Sequence, residues 1–451
     1  MAGVPEAIRT VLAAIIGEAQ LSTEPSVCEA LAVDGRVPGC VVYPGSAEQV
    51  AKTLKCAADN GLAVVAFGSA TKLGIGNPPR KYDIALCTRN LANVRYYEPS
   101  DLTAGVGAGM RLRDLLNLFK SDGLWLPLDP AGSGQSTIGG IVAANASGPL
   151  RHFYGTPRDM VVGMHVATSE GKLIKTGGRV VKNVAGYDLG KLLIGSFGTL
   201  GVITEVNLKL FPLPAERKTF VLSTGTLGVA RDLRRSIMAS PIEPLRMVLL
   251  DGETAGVIRQ SVQLERMSNE PQIWLEAGGS KSVVDRIWRD LSALGQAVGA
   301  QVHTHDNEDT AGAWQAISDF ACWIGEKYPG SVVLKGTMPI ANSEKFLSLV
   351  QQEAQNEKVR MASVAQPGVG ILHLGLLDPQ NSSQAAGLVS RIRNAAEKSD
   401  GALVVISAPA DVKAQVDAWG AAGTGFELMR KLKAAWDPQG ILAPGRFVVA
   451  A

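Results

Sequence analysis

Ser136-Thr-Ile-Gly-Gly140-Ile-Val-Ala-Ala-Asn145-Ala-Ser-Gly148 is the stretch on which the fold is read. Leu126-Pro-Leu-Asp-Pro130 leads into it. The stretch is uncharged and built almost wholly of small or apolar residues. Paired glycines at 139 and 140 leave the main chain bare of Cβ atoms at that point. The whole chain has 50 glycines in 451 residues, above the usual ~7%. They follow no collagen period, so the surplus marks places where backbone turns sharply or closes on a ligand.

Those glycines concentrate before Pro212. Besides Gly139-Gly140, the clusters are Gly68-Ser-Ala-Thr-Lys-Leu-Gly74-Ile-Gly76, Gly132-Ser-Gly134 and Gly195-Ser-Phe-Gly198-Thr-Leu-Gly201. None has the GxGxxG dinucleotide spacing, and no GxxxxGK[ST] phosphate loop occurs. Nicotinamide and ATP folds are therefore poorly supported. The apolar strand Ala63–Phe67 runs straight into Gly68–Gly76. A strand opening into small residues exposes successive N–H groups, a concave nest that suits a pyrophosphate; taken alone, the segment also reads as an ordinary turn.

Composition excludes several classes. Lys+Arg number 44 against 42 Asp+Glu, a formal charge of +2, without the basic stripe of a nucleic-acid binder. No stretch reaches the ~18 apolar residues of a membrane span, and residues 1–20 lack a basic segment and a cleavage site. Cys28, Cys40, Cys56, Cys87 and Cys322 show no CxxC spacing, so no metal or iron–sulfur site is expected here. Free thiols in a reducing cytoplasm are the expectation.

Strands and helices mix throughout. Ser46 is a plausible N-cap for a helix over 46–60, and Val161–Ser169 with Lys172–Lys175 forms a hairpin around Glu170-Gly171. Phe211-Pro-Leu-Pro214 breaks the pattern and marks a domain boundary. Beyond it strands alternate with helices, including one over Ala311–Gly325. This predicts an α+β domain with helices on one face of a mainly antiparallel sheet. The expected division is 1–214, 215–422 and a tail, 423–451, that returns to the first domain.

The ordered series from Gly68 through Ser136–Gly148, Tyr154-Gly155, Arg158-Asp159, Asn183, Asp188 and Gly195–Glu205 resembles the FAD-binding domain of the vanillyl-alcohol oxidase / p-cresol methylhydroxylase (PCMH) flavoprotein superfamily. The likeness covers about residues 41–214 and the tail 437–447. It implies an FAD-binding domain of this type beside an α+β cap domain. It implies that Gly68, Ser69, Ala70, Thr71, Lys72 and Gly74 form the pyrophosphate loop. Pro130, Ser136, Thr137, Ile138, Gly139, Gly140, Ala143, Asn145 and Gly148 would accompany the ring and ribityl chain, with Gly201, Val202 and Ile203 at the adenine side and flavin edge. Relatives that link flavin covalently carry a histidine near Thr71; no histidine precedes Arg151 here, so FAD is expected to be non-covalent. Arg158, Asp159, Asn183 and Asp188 are expected to be structural.

Ser240-Pro-Ile-Glu-Pro-Leu245, Val405–Lys413 and Val416–Gly420 resemble the smaller flavin subunits of bacterial glycolate oxidases, the GlcE type. Ala443 stands where asparagine is common in the closing Ile441–Phe447 motif. Catalytic relatives carry a His-x-Gly-Asp-Gly-Asn-x-His run that binds a divalent metal. Here it reads Gln366-Pro-Gly-Val-Gly-Ile-Leu-His373, so only the last histidine remains and no metal is expected. His373 is a flavin-side polar group or a satisfied strand histidine. Lys335, a lone cation in the apolar strand Val332–Thr337, clamps a substrate carboxylate or reaches the surface along its stem. His303 and His305 share a strand face without an evident third ligand.

The resemblance implies oxidation of glycolate or a related 2-hydroxy acid to the 2-oxo acid, with electrons leaving to a partner. The partners would be a larger flavin subunit and an iron–sulfur subunit of one complex, with no nucleic acid involved. The expected location is cytoplasmic, with any membrane association made through those partners. Two alternatives stand beside it: an FAD-binding assembly or electron-transfer subunit without its own substrate site, and a self-sufficient FAD-linked D-2-hydroxy-acid dehydrogenase.

Overall fold

The structure, a computed structural model, describes residues 3–179, 187–261, 268–420 and 423–447. Asn183 lies outside them. The first part of the chain builds two sheets. Cys40–Val42, Ile84–Cys87 and Val64–Phe67 run parallel, with Leu21–Ser22 antiparallel at the edge. Cys40, Val41, Val42 and Ile84–Cys87 are fully buried, as parallel strands covered on both faces require. The helix Ala47–Asp59 begins where Ser46 accepts a hydrogen bond from the Gln49 N–H and lays Val50, Leu54 and Ala57 on this sheet.

The second sheet is antiparallel and five-stranded, in the order Val94–Glu98, Thr103–Gly107, Val202–Lys209, Val161–Ala167, Leu173–Gly177. The turn joining the last two strands carries Gly171 at φ +79°, a conformation that favours glycine. The short helix Ile138–Ala143 packs Ile138, Ile141 and Val142 into this layer's core. Phe211-Pro212 does not simply break the chain. It pairs as a short strand with Leu124–Trp125, because an edge position tolerates the missing proline donor.

From Glu216 onward the chain forms an eight-stranded, wholly antiparallel sheet. One expectation is corrected here: helices cover both of its faces. Phe220, Leu334, Leu372, Leu374, Leu403 and Val405 join the core under helices Leu227–Ala239, Lys281–Ala297, Ile340–Asn356 and Ser382–Glu397. Alternate residues Val221, Val248, Trp274, Val333 and Val364 face the opposite core, with Trp314 and Phe320. The expected single helix 311–325 is two, Asn307–Ser318 and Phe320–Lys327. The strand Arg360–Gln366 was not expected; it pairs along Ile371–Leu377. His303 and His305 lie on the edge strand Gln301–Asp306.

The tail comes back to the first domain. The helix Phe426–Trp436 leads into Ile441–Ala443, which adds to the parallel sheet through Val64 N to Ile441 O (2.8 Å) and Ala443 N to Val64 O (2.9 Å). A buried Lys413–Asp34 pair at 3.1 Å further ties the two parts, and the Lys413 ammonium also reaches Gly74 O at 2.6 Å.

Candidate functional site

A cleft of about 860 Å³ lies between the parallel and antiparallel sheets, and its walls come from the glycine clusters. Gly68, Ser69, Ala70, Thr71 and Lys72 line one side; Thr137, Gly139, Gly140 and Ala143 line another; Gly201, Val202 and Ile203 close the floor. The sequence sets this up by close packing. A Cβ on Gly68 would lie 2.0 Å from Thr137 Oγ1, and one on Gly139 2.7 Å from the Ala108 Cβ, so neither position admits a side chain. Gly140 differs: a Cβ there would meet only Thr137 Oγ1, at 3.2 Å, and otherwise points into the cleft.

Three expected residues stand behind the wall instead of on it. Ile138 is core. Ser136 is buried and braces two loops, with its hydroxyl 3.1 Å from Thr71 Oγ1 and 2.9 Å from the Lys72 ammonium. Gly74 is exposed and offers its carbonyl to Lys413. Phe197 and Gly198, from the Gly195–Gly201 cluster, also line the cleft, as do Thr88 and Arg446, which the glycine pattern did not single out. Arg446 sits within the quoted tail motif, so its position was visible though its role was not. Arg158 and Asp159 serve local structure, by a bond to Lys191 O (2.9 Å) and a capping box with Thr156, and Asp188 caps the helix Leu189–Leu193.

The cleft carries groups that await a polar ligand. The N–H groups of Ser69, Ala70 and Thr71 have no partner among the described residues, and Ala70 sits at φ +59°, which turns successive N–H groups toward one concave point. Ser69 Oγ, Asn145 Oδ1 and Arg446 Nη1 are buried without a hydrogen-bond partner; each such orphan costs about 1–3 kcal/mol. The other Arg446 nitrogen, Nη2, is held by the carbonyls of Leu73 and Ile75. Two of its lining residues, Ala70 and Phe197, are left-handed non-glycine residues, and so is Asn145 in the adjoining cavity; strain tends to gather at ligand sites.

A second cavity, of about 1030 Å³, adjoins the first and shares Lys72, Ile75, Ala144 and Phe197 with it. Its walls join Pro130, Asn145 and Gly148 from the first domain to the eight-stranded sheet. Val364, His373, Lys335 and Val404 form one cross-strand row facing it. They face it because Leu334, Leu372, Leu374 and Val405 alternate onto the other side. Gln366 and Thr337 flank the row. Among the described residues no aspartate or glutamate lines this cavity. Neither Lys335 nor His373 has a hydrogen bond or an ion pair among the described residues. Burial lowers the Lys335 ammonium to about 8, helped by the Arg151 charge. Burial, then Lys335 and Arg151, press His373 down to about 3, so its imidazole is neutral at physiological pH and able to accept a hydrogen bond. Burial likewise lowers Lys72 to about 8.

Among the described residues no group of three His, Cys, Asp or Glu side chains is placed to hold a metal ion. The five cysteines are unpaired thiols. No helix of the described residues is long and apolar enough to cross a membrane.

A glycine-walled cleft with an open N–H nest, adjoining a polar cavity, has the form of a cofactor site beside a ligand site. Residues 38–177 match the FAD binding domain family, and residues 213–406 with 413–447 match the FAD linked oxidases, C-terminal domain. The chain belongs to the FAD linked oxidases, and FAD is its cofactor. It is 27% identical to the glycolate oxidase subunit GlcD of Bacillus subtilis over 419 residues, 91% of this chain and 89% of that one. Over 153 residues, 34% of this chain and 43% of the other, it is 39% identical to the glycolate oxidase subunit GlcE of Escherichia coli. The solved structure of p-cresol methylhydroxylase with substrate bound superposes with a TM-score of 0.76 over 98% of this chain and 97% of that one, at 15% identity.

Proposed function

We propose that this chain is the FAD-binding subunit of a glycolate oxidase or dehydrogenase complex of the GlcE type. It would oxidise glycolate or a related 2-hydroxy acid to the 2-oxo acid and pass the electrons to a partner. The observation that carries this reading is the cross-strand pair Lys335–His373, an unpaired cation beside a neutral imidazole, in a cavity that opens onto the flavin cleft. A 2-hydroxy acid has a carboxylate for the cation and a hydroxyl that donates a hydrogen bond to the neutral imidazole. The similarity to GlcE and GlcD supports the choice of acid.

In this reading the N–H groups of Ser69, Ala70 and Thr71, together with Arg446 Nη1, hold the pyrophosphate. Lys72 braces that loop through Ser136 and Ala131 O. Thr137, Gly139, Gly140, Ala143 and Asn145 hold the ring and its chain, with Pro130 and Gly148 on the substrate side and Gly201, Val202 and Ile203 at the adenine side. Thr71, where covalent relatives carry histidine, makes the attachment non-covalent. When bound, FAD supplies a two-electron acceptor, and the chain positions it, excludes water and fixes the acid. Residues 1–214 form the FAD domain, 215–422 the cap and 423–451 the returning tail. A larger flavin subunit and an iron–sulfur subunit complete the complex, which works in the cytoplasm and meets the membrane only through those partners.

A second reading has a specific observation behind it. Gln366, Val369 and Ile371 occupy the positions where catalytic relatives have metal and polar ligands, which favours an assembly or electron-transfer subunit without its own chemistry. Purified chain, titrated anaerobically with glycolate while the ~450 nm flavin band is followed, separates the two. Bleaching without partners supports substrate oxidation by this chain. An unchanged spectrum, in a preparation that retains FAD, supports the assembly role. A colourless chain that cannot be loaded with FAD refutes both.

A further inference from the structure

Arg151 belongs to the first domain, on the short helix Arg151–Tyr154 that follows the cavity wall Asn145–Pro149. Its guanidinium Nη1 donates to Ser147 Oγ at 3.3 Å, and Ser147 lines the cavity. The next residue, His152, packs against Gly368, where a Cβ would come within 2.0 Å of the imidazole. Gly368 lies in the turn that joins the strands of Gln366 and His373. The helix is thus wedged against the same hairpin that carries the polar row.

Arg151 has no ion pair among the described residues. The acid that acts on it, Asp159, is spent in capping, with Oδ2 accepting from Thr156 N (2.8 Å) and Oγ1 (3.0 Å). Asp129 is engaged by Leu150 N and Arg246. The Arg151 charge acts on both Lys335 and His373. Lys335 thus lines the cavity from the cap, and Arg151 stands directly behind its Ser147 wall from the first domain, with no acidic lining residue among the described residues. Like charges brought together out of bulk water repel, and an anion in the cavity relieves both.

We propose that Arg151 and Lys335 together form the carboxylate receptor of this cavity, so that the anionic substrate bridges the two domains and is bound by organic cations in place of a metal ion. This rests on the reading that the cavity takes a small carboxylic acid. Arg151 contributes two parallel donors and Lys335 a point charge. Gln366, buried with an unpartnered Oε1 at the position of a metal-binding histidine in catalytic relatives, is left to accept a hydrogen bond from a ligand hydroxyl.

The probe is oxalate, a small dianion with no C–H bond to oxidise, titrated into the full FAD-loaded chain with the flavin spectrum as readout and neutral oxamide as control. Wild type should bind oxalate and not oxamide, with the same affinity in EDTA. Arg151→Gln and Lys335→Met should each weaken oxalate about tenfold to a hundredfold at unchanged FAD content, and Arg151→Lys should regain part of the loss. FAD content and thermal melting of each variant report whether it has folded. If wild type binds no oxalate, the carboxylic-acid reading itself fails. If wild type binds and Lys335→Met does not, while Arg151→Gln binds as wild type does, the Arg151 assignment is overturned and the Lys335 clamp stands. Loss of binding in EDTA, restored by a divalent cation, would overturn the metal-free receptor.

Discussion

Lys335 and His373 are direct partners across two antiparallel strands and turn the same way, into the cavity beside the flavin cleft. The influence runs one way. The ammonium helps keep the imidazole neutral, and the imidazole supplies no negative charge to the ammonium. Replacing Lys335 by Met should raise KM for the 2-hydroxy acid at least tenfold with little change in bound FAD, while His373→Gln should act mainly on kcat. Steady-state kinetics of both variants check this division, and a Lys335→Met enzyme with unaltered KM refutes the clamp.

The same pair sets a pH dependence. The charged ammonium binds the carboxylate, and burial has lowered its pKa to about 8. Affinity is therefore full below that value and lost above it, by about tenfold per pH unit once the free ammonium is deprotonated. Arg151 and His373 do not titrate between pH 7 and 10, the former because guanidinium stays charged and the latter because it is already neutral; Lys72, which also lines the cavity and is lowered to about 8, does, so the profile is compared with that of Lys335→Met. Oxalate affinity measured from pH 6.5 to 9.5 should fall only at the alkaline end, and a flat profile would exclude Lys335 as the anchor.

Gly140 faces the cleft without a protein neighbour to fill its Cβ space. Gly140→Val should fold, because nothing in the protein except Thr137 Oγ1 is near, and should purify without flavin. Normal melting together with full FAD content would mean that the ring does not pass this residue.

Ala443 is buried at φ +45°, where a non-glycine L-residue costs ~1–2 kcal/mol. Part of that returns as the greater chain entropy of glycine. Ala443→Gly is expected to stabilise the protein by about 0.5 kcal/mol, seen as a small rise in Tm; a clear fall would show that the methyl packing outweighs the backbone strain. The asparagine common at this position in relatives is a residue type that tolerates the same conformation.

Asp34 and Lys413 are buried together between the parts of the chain, with side chains 9% and 3% exposed. Asp34→Asn strands the ammonium and should cost about 3 kcal/mol, read by denaturant unfolding. A loss below 1 kcal/mol would mean that Gly74 O and water suffice.

The FAD domain was legible because its constraints are local. Gly68, Gly139 and Gly201 are glycines for reasons of direct contact, and their order along the chain carries that information. The cap was harder to read. Its helices cover both sheet faces, and the alternation in Val332–Thr337 says only that Lys335 and Val333 share a side, not what lies over them. The strand Arg360–Gln366 was hidden because Met361, Ala362 and Ala365 also suit a helix. Arg151 left no signal at all: a lone arginine after Pro149-Leu150 reads as surface until the fold brings the hairpin of Gln366 and His373 against its helix.

Arg446 reaches back to the carbonyls of the loop at Leu73 and Ile75, 373 and 371 positions earlier. On a ribosome the loop therefore waits for almost the entire cap to be made before the cleft has its last wall. Flavin capture becomes a late event, a checkpoint that only chains with a finished and returned tail can pass. Yellow colour in a purified preparation is then a report on completed domain assembly as much as on cofactor supply.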